Sequence, residues 1–247
     1  MKKSLLALAA MLAATALPSL VQAAEGPSMS YNLGVVSDYR YRGISQSRIR
    51  PALQGGADYS NPNGTYLGTW LSTIQWVKDA GGKADIEWDL YGGYKGELSK
   101  DLAYDVGGLY YFYPNNKLGN VAGSVDANTF ELYGALSFGP ATVKYSHSLT
   151  NTFGYADSKN SGYLDISASF DLGNGFSLAP HLGHQTILRN SAYSYTDVSL
   201  TLAKEMGNGV SLSAALMGTD ADRGLFLTPA GKFTGKNALV LGAKFSF

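Results

Sequence analysis

Four arginines, Arg40, Arg42, Arg48 and Arg50, fall close together in the sequence, flanked by Asp38 and Asp58. A guanidinium offers a planar fork of donors that matches carboxylate or phosphate, so this cluster suits an anionic solute or lipopolysaccharide. The competing reading is a ladder of ion pairs to Asp38, Asp58, Glu87 and Asp89 that stiffens the fold, and that reading is favoured. A second set is acidic. Asp85, Glu87 and Asp89 recur at alternate positions, and Asp105, Glu131, Asp165 and Asp197 follow, with Lys144 as a basic member. Burying unpaired carboxylates is costly, so water or paired cations must meet them.

Nucleophile and metal chemistry are poorly served. His147 lies between Ser146 and Ser148, which suggests a base beside a nucleophile, as in a lipid-modifying barrel enzyme. On a strand, however, a partner on the same face must be two residues away, and those positions hold Tyr145 and Leu149. His181 and His184 are three apart and face opposite ways on a strand, Pro180 beside them marks a local irregularity, and Asp220 and Asp222 read as an ordinary solvated loop. No Walker loop, HExxH or CxxC occurs. No catalytic set, cofactor or metal is expected.

The elements that position these groups follow from composition. The chain has 247 residues, no cysteine, 19 basic against 19 acidic side chains and 30 glycines. Charged residues are 15% of the chain, below the ~25% usual in soluble domains, yet mean hydropathy is only −0.07. A polybasic nucleic-acid binder, a disulfide scaffold and a multi-span helical membrane protein are all excluded. What remains is a chain whose strands carry one apolar and one polar face.

Lys2 and Lys3, the apolar stretch Leu5 to Leu17, Pro18 and the small residues Val21 and Ala23 read as a secretory signal peptide at 1–23, cleaved after Ala23. Its removal leaves 19 − 2 = 17 basic against 19 acidic groups. Export to the outer membrane by way of the periplasm is expected. Period-two alternation then recurs along residues 24–247. Leu239, Leu241, Ala243, Phe245 and Phe247 share one face, and Leu164, Ile166, Ala168 and Phe170 another. Turn residues at Asn61 to Gly64, Ser99 to Asp101, Gly139-Pro140, Gly173 to Gly175 and Gly207 to Gly209 alternate with six longer connections, near 41–51, 75–84, 113–128, 151–161, 188–194 and 219–235.

Eleven connections join twelve strands and return both termini to the side of the short turns. A β-sandwich has no reason to sort its connections by parity. The expected fold is therefore all-β: a closed antiparallel transmembrane β-barrel of about twelve strands, with short periplasmic turns and long extracellular loops. Closure satisfies every backbone hydrogen bond in lipid and removes sheet edges. Tyr31, Tyr39, Tyr41, Tyr59, Tyr94, Tyr104, Tyr110 and Phe112 are assigned to the apolar face, many near strand ends where interfacial girdles form.

Parity gives an expected pore-lining set. Arg40 and Arg42 are placed on the first strand with Asn32, Gly34, Val36 and Asp38. Asp58, Asp85, Glu87, Asp89, Asp105, Glu131, Lys144, Asp165 and Asp197 are placed on later strands. Such a mixed lumen implies weak, slightly cation-favouring ion selectivity.

The run Asp38-Tyr39-Arg40-Tyr41-Arg42-Gly43-Ile44-Ser45-Gln46-Ser47 continues through Pro51-Ala52-Leu53-Gln54-Gly55-Gly56-Ala57-Asp58-Tyr59. Gly64, Tyr66, Gly68, Trp70, Ser72, Glu87, Asp89, Tyr91, Gly93 and Tyr94 follow. This block resembles the TorF family of proteobacterial outer-membrane porins; beyond Tyr94 the likeness is in length and rhythm. The resemblance implies a channel-like barrel and carries over no catalytic residues. Phe247, behind its alternating apolar positions, resembles the C-terminal signal read by the outer-membrane assembly machinery. Expected partners are that machinery, outer-membrane lipid and lipopolysaccharide, and small solutes, with no nucleic acid. The expected function is a porin-like channel for passive diffusion of small polar or charged solutes; the alternatives are a structural or adhesive barrel with a plugged lumen and, less favoured, a lipid-modifying enzyme.

Overall fold

The computed structural model describes residues 26–247, so the signal-peptide segment lies outside the described residues. Twelve antiparallel strands form the wall: β1 Ser28–Val36, β2 Ala52–Ser60, β3 Thr65–Thr73, β4 Ile86–Ser99, β5 Leu102–Phe112 and β6 Thr129–Phe138. β7 is Ala141–Ser148, and β8 runs Gly162–Ala168 and resumes at Phe170–Gly173. β9 Phe176–Thr186, β10 Tyr195–Gly207, β11 Val210–Thr219 and β12 Ala238–Ser246 complete it. Each strand pairs with its sequence neighbours. β1 closes the barrel against β12, with Asn32 opposite Ser246 and Val36 opposite Gly242.

Alternation sets the two faces. On β12, Leu239 and Leu241 are 58% and 53% exposed, while Val240 between them is 1% exposed. Leu33, Val35, Leu200, Leu202, Leu212 and Leu216 are likewise exposed on other strands, giving the outward apolar surface that a barrel presents to lipid.

The short turns repeat one device. Gly173, Asn174 and Gly175 have φ of 79°, 52° and 77°, and Gly207, Asn208 and Gly209 have 87°, 50° and 78°. Positive φ at the last two residues suits a tight hairpin turn, and the leading glycine sits where the ladder shifts register between Asp171 and Gly173 and between Glu205 and Gly207. The interruption of β8 also has a local cause. Ala168 falls opposite Pro180, extrapolating the register that pairs Ser167 with His181, and proline has no N–H to donate across the ladder.

One expectation is corrected. The first strand ends at Val36 rather than continuing to Arg42. Beyond Ser37 the chain turns into the barrel and forms a miniature hairpin of Arg40–Tyr41 against Ile44–Ser45. Its turn residues, Arg42 and Gly43, have φ of 47° and 78°, the backbone of a type I′ turn. Tyr39 and Tyr41, assigned to the lipid face by parity, are therefore buried in the lumen at 2% and 8% exposure. A polar–aromatic alternation has the same period in an in-folded hairpin as in a wall strand.

Candidate channel lumen

The loop at 37–51 crosses the barrel interior and is held from several sides. The Asp38 carboxylate organises its base, accepting from Arg40 Nε at 2.7 Å and from the Ser45 and Ser47 hydroxyls at 2.5 and 3.2 Å. Arg40 Nη1 donates to the carbonyls of Gly43 and Lys236, both at 2.9 Å. Tyr39 donates to Glu87 on β4 at 2.5 Å, and the Tyr41 and Tyr111 hydroxyls share a hydrogen bond of 2.6 Å. Arg42 reaches furthest. Its two Nη atoms grip Glu131 on β6 at 2.7 and 3.2 Å, Nη1 also donates to Gln185 on β9, and the guanidinium lies 4.2 Å from the Tyr163 ring centroid. A bidentate, charge-assisted pair of this kind fixes direction as well as position.

The second loop, at 74–85, braces the first. Gln75 and Trp76 donate their backbone N–H groups to the Gln46 carbonyl at 2.7 and 3.1 Å, and Arg48 pairs with Asp79 at the end of the one-turn helix α1 Trp76–Asp79. Phe153 from the fourth loop packs edge-on against Tyr41 and Tyr111.

Below the loop, wall carboxylates are met mainly by tyrosines. Tyr91 donates to Asp58, Tyr66 to Asp105 at 2.6 Å, and Tyr163 to Asp197 at 2.9 Å; Tyr66 also bonds Tyr133. His181 bridges Asp165 and Asp197 at 3.1 and 3.5 Å. Inward glycines on neighbouring strands leave space for these rings. A Cβ at Gly107 would fall 2.5 Å from the Tyr133 hydroxyl, and one at Gly183 would overlap the Tyr163 hydroxyl and come 2.8 Å from Asp197 Oδ2. Gly183→Ala is expected to lower stability by about 1–3 kcal/mol by forcing Tyr163 off Asp197. A fall in the urea midpoint of the folded barrel would register this, and an unchanged midpoint would contradict the glycine's role as a slot.

The parity-derived residues divide accordingly. Asp58, Glu87, Asp89, Asp105, Glu131, Lys144, Asp165 and Asp197 are on wall strands at buried or half-buried positions. Arg40 and Arg42 are inside the barrel, but on the loop. Asp85 is displaced from the set: it precedes β4, is exposed, and pairs with Lys78 at 2.7 Å, a hydrogen bond that lowers its carboxyl pKa. Alternation extends only as far as the strand does.

The expected pore-lining set also left out Tyr66, Tyr133, Tyr163, His181, Gln185 and Lys244. The signal was present for Tyr91, which shares parity with Glu87 and Asp89. Tyr163 likewise shares parity with Asp165. Of the arginine readings, the structure bears on pairing: Arg40, Arg42 and Arg48 each hold a carboxylate, with Glu131 and Asp79 as partners that the expected ladder did not include. His147 bonds Asn160 at 3.3 Å while Ser148 donates to Glu131. Asp220 and Asp222 accept backbone N–H groups of Thr196 and Gly224.

The loop leaves space on both sides. Toward the short turns lies a chamber of about 110 Å³, bordered by Asp38, Tyr39 and Arg40 of the loop and by Asp89, Lys144 and Lys244 of the wall. Toward the long loops lies a vestibule of about 300 Å³ with an aromatic lining that includes Tyr41, Trp76, Tyr113, Phe153 and Tyr193.

The family model for Gcw_chp, described as a bacterial protein of unknown function, matches residues 21–247. No curated protein matches the chain. Among solved structures, the KdgM porin aligns with a TM-score of 0.57 at 7% identity, over 89% of this chain and 98% of that one. A KdgM porin in complex with disordered oligogalacturonate aligns with a TM-score of 0.56 at 7% identity, over 89% and 98%. The NanC porin aligns with a TM-score of 0.55 at 14% identity, over 88% and 99%. The likeness is one of fold: a closed twelve-strand barrel of porin type.

Proposed function

The chain belongs to the Gcw_chp family, and from its porin-type barrel we propose an outer-membrane channel for passive diffusion of small polar or charged solutes, constricted by its first extracellular loop. The observation that carries this reading is the charged lumen. Asp58, Glu87, Asp89, Asp105, Glu131, Asp165 and Asp197 line the interior with Lys144, and the loop brings Arg40 and Arg42 among them. So many ionisable groups are compatible with hydration and ion pairing and not with an apolar fill. The exposed apolar outer face supports placement in the outer membrane, in contact with lipid and lipopolysaccharide. The resemblance of the Asp38–Tyr94 block to TorF porins supports the same assignment at a finer level. Phe247, terminal to the alternating β12, is the proposed contact for the assembly machinery.

The second reading is a structural or adhesive barrel whose lumen stays plugged, and the crossing Arg42–Glu131 pair favours it. Liposome swelling separates the two. Purified protein is expected to admit small amino acids or sugars to vesicles; vesicles that fail to swell in every solute would transfer the assignment to the plugged barrel. A phospholipid hydrolysis assay on the same vesicles addresses the enzyme reading: turnover abolished by His147→Ala would replace the channel with a lipid-modifying activity.

A further inference from the structure

The chamber on the turn side of the loop contains polar groups that the protein leaves unmatched. Arg40 is 2% exposed, and although its Nε and Nη1 are bonded, Nη2 is buried with no hydrogen-bond partner. Asp89 is also 2% exposed, and its Oδ1 is buried without a partner. Among the described residues no cation pairs with Asp89 and no carboxylate pairs with Lys144. The Lys144 ammonium instead lies 4.0 Å from the centroid of the Tyr133 ring. All three residues border the same chamber.

A carboxylate oxygen on β4 and a guanidinium nitrogen on the loop without hydrogen-bond partners, beside an ammonium on β7 that no carboxylate contacts directly, are a costly combination at buried positions. Ordered water could meet each of them singly. An occupant carrying both an ammonium and a carboxylate would meet both signs at once with charge-assisted hydrogen bonds. The chamber volume, about 110 Å³, suits a small molecule.

We propose that this chamber is a transit subsite for small zwitterionic solutes of the amino-acid class, with Asp89 receiving the ammonium and Lys144 and Arg40 the carboxylate. The proposal rests on the channel reading for its physiological direction, but binding can be measured without conductance. L-Alanine is the probe and glycerol the neutral control. In planar bilayers alanine is expected to block potassium current saturably where glycerol does not. Asp89→Asn and Lys144→Met are each expected to weaken that block about tenfold relative to each variant's own alanine-free current, as for a lost charge-assisted contact.

Calorimetry on the detergent-solubilised full barrel gives the same ranking independently of current. A barrel that conducts nothing yet binds alanine through Asp89 would overturn the channel reading and uphold the subsite. Absence of saturable alanine binding, or binding equal in wild type and Asp89→Asn, would overturn the subsite and leave the chamber to water. Heat-resistant migration of each variant on gels establishes that it is folded, and the two substitutions, on separate strands, serve as checks on one another.

Discussion

Arg42→Ala should raise single-channel conductance several-fold over the wild-type barrel. The side chain lies inside the barrel, and its guanidinium joins Glu131 on β6 to Gln185 on β9. Truncation to a methyl group removes the crossing and uncouples the hairpin tip from both walls. The same substitution strands Glu131, which is 1% exposed, and removing one partner of a buried pair costs about 3–5 kcal/mol. Stability should therefore fall as conductance rises. Arg42→Ala combined with Glu131→Gln should recover much of the stability and keep the larger conductance, because a neutral amide is less costly to leave in place than a carboxylate. If the two single-channel conductances are equal, Arg42 does not form the constriction.

The second large effect belongs to the outer face. Leu200 on β10 is exposed, whereas its neighbour Thr201 points inward and is 7% exposed. With the barrel in a bilayer, Leu200→Arg should cost about 2–4 kcal/mol, the range for a cation on the lipid face near the midplane. Thr201 borders the chamber, so Thr201→Lys should cost much less while changing ion selectivity. Urea titrations of both variants refolded into lipid vesicles give the comparison. Equal penalties would contradict the assignment of the two faces.

These two faces were the most legible part of the sequence. Alternation at Leu239, Leu241 and Phe245, and the Gly-Asn-Gly turns at 173–175 and 207–209, specify strand phase and connection, because period two and positive φ are local properties. The wall carboxylates followed from the same phase. What stayed hidden was where the phase stops. Asp38 to Arg42 alternate as a strand would, yet Gly43 and the serines that bond Asp38 turn them into a lumen hairpin, through contacts with β4, β5, β6 and β9 that no local pattern encodes. Asp85 lost its place for the related reason that β4 begins one residue later.

The partners of the carboxylates were hidden too. Charge counting pointed to arginines, but Tyr66, Tyr91 and Tyr163 meet Asp105, Asp58 and Asp197. Tyrosine reads in sequence as an interfacial aromatic as readily as a hydrogen-bond donor. The inward glycines that make room for these rings are recognisable only once neighbouring strands are aligned.

Wild-type protein in a planar bilayer, bathed in a potassium chloride gradient, tests the constricted charged lumen most directly. The expected record is discrete, small-conductance steps with a reversal potential displaced slightly toward that of the cation, since acidic groups outnumber basic ones around the lumen. A silent bilayer, or a reversal potential close to that of chloride, would contradict it.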